Sequence, residues 1–206
     1  MTQTILGDVA QYYGDKLRQH GATPAGVDWK DEASQILRFE QLLHVVTDPQ
    51  GSVTDFGCGF GALLGHMRGK GFVGDYLGID IASDMIETAA TKYATDRKAR
   101  FETGSSPSTQ ADYAVASGIF NVRMHHDKDA WKDYVAATLA DMNTSSKLGF
   151  AFNCLTAYSD ASKMRSNLYY GDPCFWFDLC KRNYSRQVAL LHDYGLYEFT
   201  IIVRKK

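Results

Sequence analysis

Residues 53–64, Val-Thr-Asp-Phe-Gly-Cys-Gly-Phe-Gly-Ala-Leu-Leu, constrain the fold more than any other stretch of the chain. They read as a short buried strand ending near Asp55 and Phe56, a glycine turn, and a helix opening at about Phe60. Glycines at 57, 59 and 61 let the backbone turn sharply at the strand's end with no Cβ in the way of a ligand. The helix that follows aims unpaired N–H groups and its positive dipole end at whatever lies over the turn.

Two ligand classes use such a turn. Gly57-x-Gly59-x-x-Ala62, with Asp80 ending the next strand, satisfies a relaxed dinucleotide fingerprint. Asp55 argues the other way: its carboxylate repels a pyrophosphate and suits a ligand that carries an ammonium group. With that acid, Asp55-x-Gly57-x-Gly59-x-Gly61 resembles the first motif of class I methyltransferases dependent on S-adenosylmethionine (SAM). The dinucleotide-dependent oxidoreductase and a binding protein that keeps the fold without catalysis are the alternatives.

The flanking sequence fills in an α/β architecture. Residues 4–20 and 31–46 show helical spacing, separated by the Gly- and Pro-bearing loop 21–27. Further on, the pattern predicts strands over 75–80, 100–104, 112–121, 147–155, 185–193 and 196–203, and helices over 60–69, 83–95 and 127–143. A short helix starts at Gly171-Asp-Pro173. Strands six and seven meet through Asp193-Tyr-Gly195, a connection tight enough to require an antiparallel pair. A Rossmann-like, doubly wound sheet of about seven strands, mostly parallel but closing on an antiparallel hairpin, is also the topology the resemblance implies. The resemblance covers residues 50–203. It further implies that residues 1–50 form a helical lid and that 156–183 is an insertion on the substrate side, within one domain spanning 1–206.

Site residues follow from position. Asp80 falls 19 residues after Gly61 (80 − 61), where a second strand returns beside the first turn, and its two oxygens suit the hydroxyls of a ribose. Ser83 is the expected cap of the next helix. The resemblance implies that Gly57, Gly59, Gly61 and Asp55 also hold the cofactor. It places Ile81 against the adenine, Glu102 or Ser105 as its polar contact, and Ser117 with its small neighbours at the methionine end. Arg38 either grips the methionine carboxylate or is a solvated helix-face arginine. Tyr12, Tyr13 and Trp29 are lid residues over the ligand or ordinary core aromatics. An alcohol acceptor needs a base, which makes His192, His125 and His126 the residues to weigh. His192, beside Asp193 at the exit of strand six, ranks first and His125 second; surface roles remain the alternative for each.

Composition bounds the rest. The 206 residues are 45% hydrophobic and 22% charged, enough for one domain with a substantial core. A net charge of −2 gives no reason to expect a nucleic-acid partner. Cysteines 58, 154, 174 and 180 form neither a CxxC pair nor a zinc-ligand spacing, so no metal is expected and a reducing compartment is. No charged-then-apolar leader opens the sequence and no run approaches 18 apolar residues, which points to a cytoplasmic protein with a small-molecule partner and no membrane.

Overall fold

The computed structural model describes residues 2–29 and 31–205. Met1 and Lys30, both within the expected lid, and the terminal Lys206 lie outside the described residues. The strands are β1 (Val53–Phe56), β2 (Tyr76–Asp80), β3 (Ala99–Thr103), β4 (Ala111–Ala116), β5 (Ser146–Leu155), β6 (Gln187–Leu191) and β7 (Glu198–Arg204). The helices are α1 (Thr2–His20), α2 (Glu32–Leu43), α3 (Ala62–Gly69), α4 (Ser83–Lys92), α5 (Lys128–Ser145) and α6 (Pro173–Asn183). One sheet results, in the order β3-β2-β1-β4-β5-β7-β6. β1 to β5 run parallel, and β7 is antiparallel to both of its neighbours.

Alternation along the strands sorts the core into two layers. In β4, Ala114 and Ala116 face the layer that holds Trp131, Val135, Leu139 and Met142 of α5 and Trp176 of α6. Tyr113 and Val115 face the opposite layer, with Phe39 and Leu42 of α2 and Leu63, Leu64 and Met67 of α3. β5 and β7 split in the same way: Phe150, Phe152, Phe199 and Ile201 to one side, Ala151 and Ile202 to the other. This period of two, buried on both faces, is what makes the strands read as near-continuous apolar runs.

Several boundaries differ from expectation by a few residues, and three of the differences bear on the site. α3 begins at Ala62 rather than Phe60, because Gly57, Gly59 and Gly61 all hold positive φ (70°, 53° and 78°) and the turn continues through Gly61. β4 stops at Ala116 rather than 121: Gly118 takes φ 76° and its N–H donates to Asn153 Oδ1 at 2.7 Å. The connection between β6 and β7 spans 192–197 and is longer than a tight turn.

Candidate active site

The parallel strands β1, β2 and β4 end on one edge of the sheet, and a cavity of about 430 Å³ opens above their ends. That volume lies within the range of small-molecule sites. Its floor includes Asp55, Gly57, Gly59, Asp80, Ile81 and Ser117, and Ser105 reaches it from the end of β3. Leu6, Val9, Tyr12 and Tyr13 of α1 cover it, with Trp29, Arg38 and Phe39 from the segment through α2. The wall beyond β5 contributes Leu155, Ser159, Asn167 and Tyr170.

Asp55 is the most perturbed acid of the floor. It is 2% exposed, and its Oδ2 accepts the Tyr76 hydroxyl at 2.6 Å while Oδ1 has no hydrogen-bond partner. Burial raises its pKa to about 7, with the Tyr76 hydrogen bond opposing and the nearby Asp80 charge adding to the rise. Ser117 Oγ is likewise buried without a partner. Unpartnered polar atoms are rare in protein interiors, and both of these belong to residues that line the cavity.

Asp80 does more structural work than the sequence implied. Its Oδ2 accepts the Gly59 N–H at 2.9 Å and its Oδ1 the Ala82 N–H at 2.9 Å, so the carboxylate ties the glycine turn to the start of α4. Ser83, expected as the cap, makes no capping hydrogen bond; the cap position is Ala82. Burial raises the Asp80 pKa, opposed by these backbone N–H groups. Each oxygen retains a second lone pair, so ribose hydroxyls remain compatible with both bonds.

Gly57 and Gly59 are required by close approach. A Cβ on Gly57 would lie 2.2 Å from Ile119 Cγ2, and one on Gly59 would lie 3.2 Å from Val27 Cγ1. Gly61 stands behind the floor instead. A Cβ there would meet the Tyr93 ring at 2.6 Å, and Gly61 is not among the cavity's lining residues. Glu102 also stays off the cavity, accepting the Ser108 hydroxyl at 2.8 Å.

Arg38 is neither solvated nor free. Its Nε donates to Glu198 Oε2 at 2.8 Å and its Nη1 to the Ser34 carbonyl at 2.8 Å. The guanidinium lies 4.2 Å from the centre of the Trp29 ring. Asn121 Nδ2 donates to the other Glu198 oxygen at 3.4 Å, and Arg38, Glu198, Trp29 and Asn121 all line the cavity. Trp29 in turn covers Gly118, where a Cβ would fall 2.4 Å from its ring. Glu198 and Asn121 were not foreseen as site residues. The one available signal was an acid heading the run 198–203, which is apolar apart from Thr200.

The histidines do not gather here. His192 does leave β6 on the same edge as the glycine turn, but β7 and β5 both intervene between β6 and β4. Three strand intervals of about 4.8 Å put it roughly 14 Å to the side. It is exposed and packs against Tyr158 and Phe199, with ring centres 5.9 and 6.3 Å away. His125, 75% exposed, faces Asp8 on the outside of α1. No histidine lines the cavity among the described residues.

A family model described as a methyltransferase domain matches residues 53–143, from β1 into α5. The Mycobacterium tuberculosis protein Rv1506c, which carries the name of a methyltransferase, is 55% identical over 154 residues, 75% of this chain and 93% of its own length. The chain belongs to the class I SAM-dependent methyltransferase family. The fold of this methyltransferase is shared by the DhpI–SAH complex, which matches 99% of the chain and 98% of its own with a TM-score of 0.68 at 14% identity. It is shared too by magnesium protoporphyrin IX methyltransferase from Synechocystis PCC 6803 with bound SAH, over 97% and 99% of the two chains, with a TM-score of 0.68 at 14% identity. Family membership sets aside the dinucleotide-dependent oxidoreductase.

Proposed function

We propose that this methyltransferase moves the methyl group of SAM to an oxygen or nitrogen of a small-molecule acceptor. The observation that carries the reading is Asp55 Oδ1, buried at the exit of β1 with no partner in the protein. An ammonium group supplies the missing donor and the positive charge that returns the carboxyl to its ionised form. When bound, SAM supplies a methyl group on a cationic sulfur, an electrophile open to in-line displacement.

The chain's own residues then do the holding. Gly57 and Gly59 keep the floor free of side chains, Asp80 offers acceptors for ribose hydroxyls, Ile81 an apolar face and Ser105 a polar contact. Ser117, with its unpartnered hydroxyl, serves the methionine end. Arg38, held by Glu198, is assigned to securing the segment around Trp29 over β4 rather than to the cofactor's carboxylate. Residues 1–50 act as the lid, and the part of 156–183 that walls the cavity contacts the acceptor.

Two of the tyrosines that line the cavity, Tyr13 and Tyr134, are hydrogen-bond donors rather than bases. Burial pushes the pKa of Tyr134 up to about 12 and that of Tyr13 higher still. With no histidine at hand, rate enhancement rests on alignment and exclusion of water, which suits an acceptor that arrives already neutral or already deprotonated. A cytoplasmic setting accords with four cysteines that are all free thiols. Among the described residues no helix is long and apolar enough to cross a membrane.

The test is calorimetric titration with SAM and, separately, with NAD(H), followed by turnover of labelled methyl donor against a metabolite pool. One equivalent of SAM bound, no NAD(H), and a labelled product are expected. NAD(H) binding without SAM would overturn the cofactor assignment, and SAM binding without any labelled product would reduce the protein to a binding module.

A further inference from the structure

Outside the cavity, three side chains from distant parts of the chain converge. Asp8 Oδ2, on α1, lies 3.6 Å from His125 Nε2 and 3.1 Å from His126 Nε2. All three donor atoms fall within 4.8 Å of one another, and the imidazole centres are 4.5 Å apart. We propose that Asp8, His125 and His126 form a divalent transition-metal site that latches α1 to the segment after β4.

The distances fit that chemistry. Tetrahedral bonds of about 2.0–2.1 Å give edges between ligand atoms of about 3.3–3.4 Å. The two Asp8 distances, 3.1 and 3.6 Å, bracket that edge. Two imidazole nitrogens and one carboxylate oxygen are a borderline donor set that selects zinc and its neighbours, whereas magnesium and calcium take oxygen ligands. Three protein ligands leave a fourth position for water.

Hydrogen bonding alone accounts for the cluster poorly. His126 Nε2 is buried and, although 3.1 Å from Asp8, is not aligned to form a hydrogen bond with it. Two protonated rings 4.5 Å apart repel each other, and two neutral N–H groups compete for one carboxylate oxygen. A metal ion takes the lone pairs of both nitrogens and satisfies all three groups.

The backbone holds the pair in place. Met124, just before the histidines, sits at φ 56°, a left-handed conformation that costs free energy in a residue other than glycine. Its N–H donates to the Asn167 carbonyl at 2.8 Å, and the Arg123 guanidinium donates to the carbonyls of His126 and Ser166. His126 is 11% exposed beside Trp131, so it is a fixed ligand, while His125 at 75% exposure is free to adjust. Asp8 adjoins Val9, which covers the cavity, so a metal ion at this point would stiffen the roof without touching the chemistry. The site is independent of the acceptor and of the methyl-transfer reading.

The experiment uses the full chain, zinc chloride as the probe, and His125→Ala and Asp8→Asn as variants. Competition against a chromogenic chelator should find one zinc per chain with micromolar or tighter affinity, at least tenfold weaker in each variant. Magnesium should not compete. Hydrogen exchange of residues 2–20 should slow with zinc in the wild type and not in His125→Ala. The exposed position of His125 keeps that variant folded, so its result is readable. No stoichiometric zinc, or equal affinity in His125→Ala, would overturn the site; zinc bound there with unchanged exchange in α1 would overturn the latch.

Discussion

Asp55→Asn should stabilise the free protein above neutral pH and weaken its hold on SAM, opposite effects from one atom exchange. The Asp55 carboxyl titrates near 7 in the fold against an ordinary 3.8. A pKa raised by folding means the contribution to stability is full below about pH 4 and is lost as pH rises through 7. About 3 units correspond to an upper limit of ~4 kcal/mol by which the ionised group penalises the fold at pH 8. Asparagine removes the charge and can still accept from Tyr76, but its amide N–H2 then sits where Oδ1 had no partner, at a cost of about 1–3 kcal/mol. The net gain at pH 8 is therefore about 1–3 kcal/mol, a rise in Tm of roughly 2–12 °C for a chain of this size. At pH 5, where Asp55 is itself neutral, the advantage should vanish or reverse. SAM affinity should meanwhile fall tenfold or more, since a charge-assisted hydrogen bond contributes roughly 1.5–3 kcal/mol. In the wild type, affinity should decline by about tenfold per unit below pH 7 as the carboxyl takes up its proton. Thermal scans from pH 5 to 8 alongside calorimetric titration test both halves. A Tm difference that stays constant across that range would refute the ionisation argument, and unchanged SAM affinity in the variant would refute the assignment of the ammonium partner.

Asp80→Ala should lower SAM affinity tenfold or more and also destabilise the fold by about 1–3 kcal/mol, because the Gly59 and Ala82 N–H groups lose their acceptor; denaturant unfolding and titration read the two effects separately. Arg38→Ala leaves Glu198 buried and unpaired and should cost about 3–5 kcal/mol in urea unfolding, most of it recovered in Arg38→Met combined with Glu198→Gln. His192→Ala should leave kcat within about twofold, measured with whichever acceptor the metabolite screen yields; a loss near the 10²–10⁴-fold typical of a general base would return His192 to the site.

Much of this architecture was legible because its signals are local. The glycine turn, the acids at 55 and 80 and the apolar alternation of β4, β5 and β7 each sit within about ten residues of chain. The alternation has the period of two that one strand imposes on itself. Lateral strand order is not local, and it is what sets His192 to the side of the cavity. The sequence pattern placed the residue on the correct edge of the sheet but could not tell that β7 would lie between β5 and β6. The two readings of Arg38 stayed open for a similar reason: its partner Glu198 is brought in from the far end of the chain, and nothing beside Arg38 in the sequence distinguishes an anchored arginine from a solvated one. Ser83 was misjudged because composition ranks it a good cap, whereas the first helical bonds, from the Met85 and Ile86 N–H groups, reach the Ala82 carbonyl and make Ala82 the cap. The Asp8 cluster was invisible for want of any spacing rule, since its first ligand and its histidine pair belong to segments on opposite sides of the glycine turn.

The interposed position of β7 also dictates an order of assembly. β6 pairs with β7 alone, so although it is synthesised first it has no strand to join until β7 exists. β5 waits as well, with the edge that will receive β7 open and Phe150 and Phe152 flanking it. During synthesis the five parallel strands can dock while this edge stays bare, a template for unwanted pairing between nascent chains. Arrival of β7 closes the gap in one step, joins β6 to the sheet, and carries Glu198 to the register opposite Leu155, within reach of Arg38. The ion pair that secures the roof of the cavity is thus available only to a molecule whose sheet is complete, so a half-folded chain has a glycine turn but no closed site.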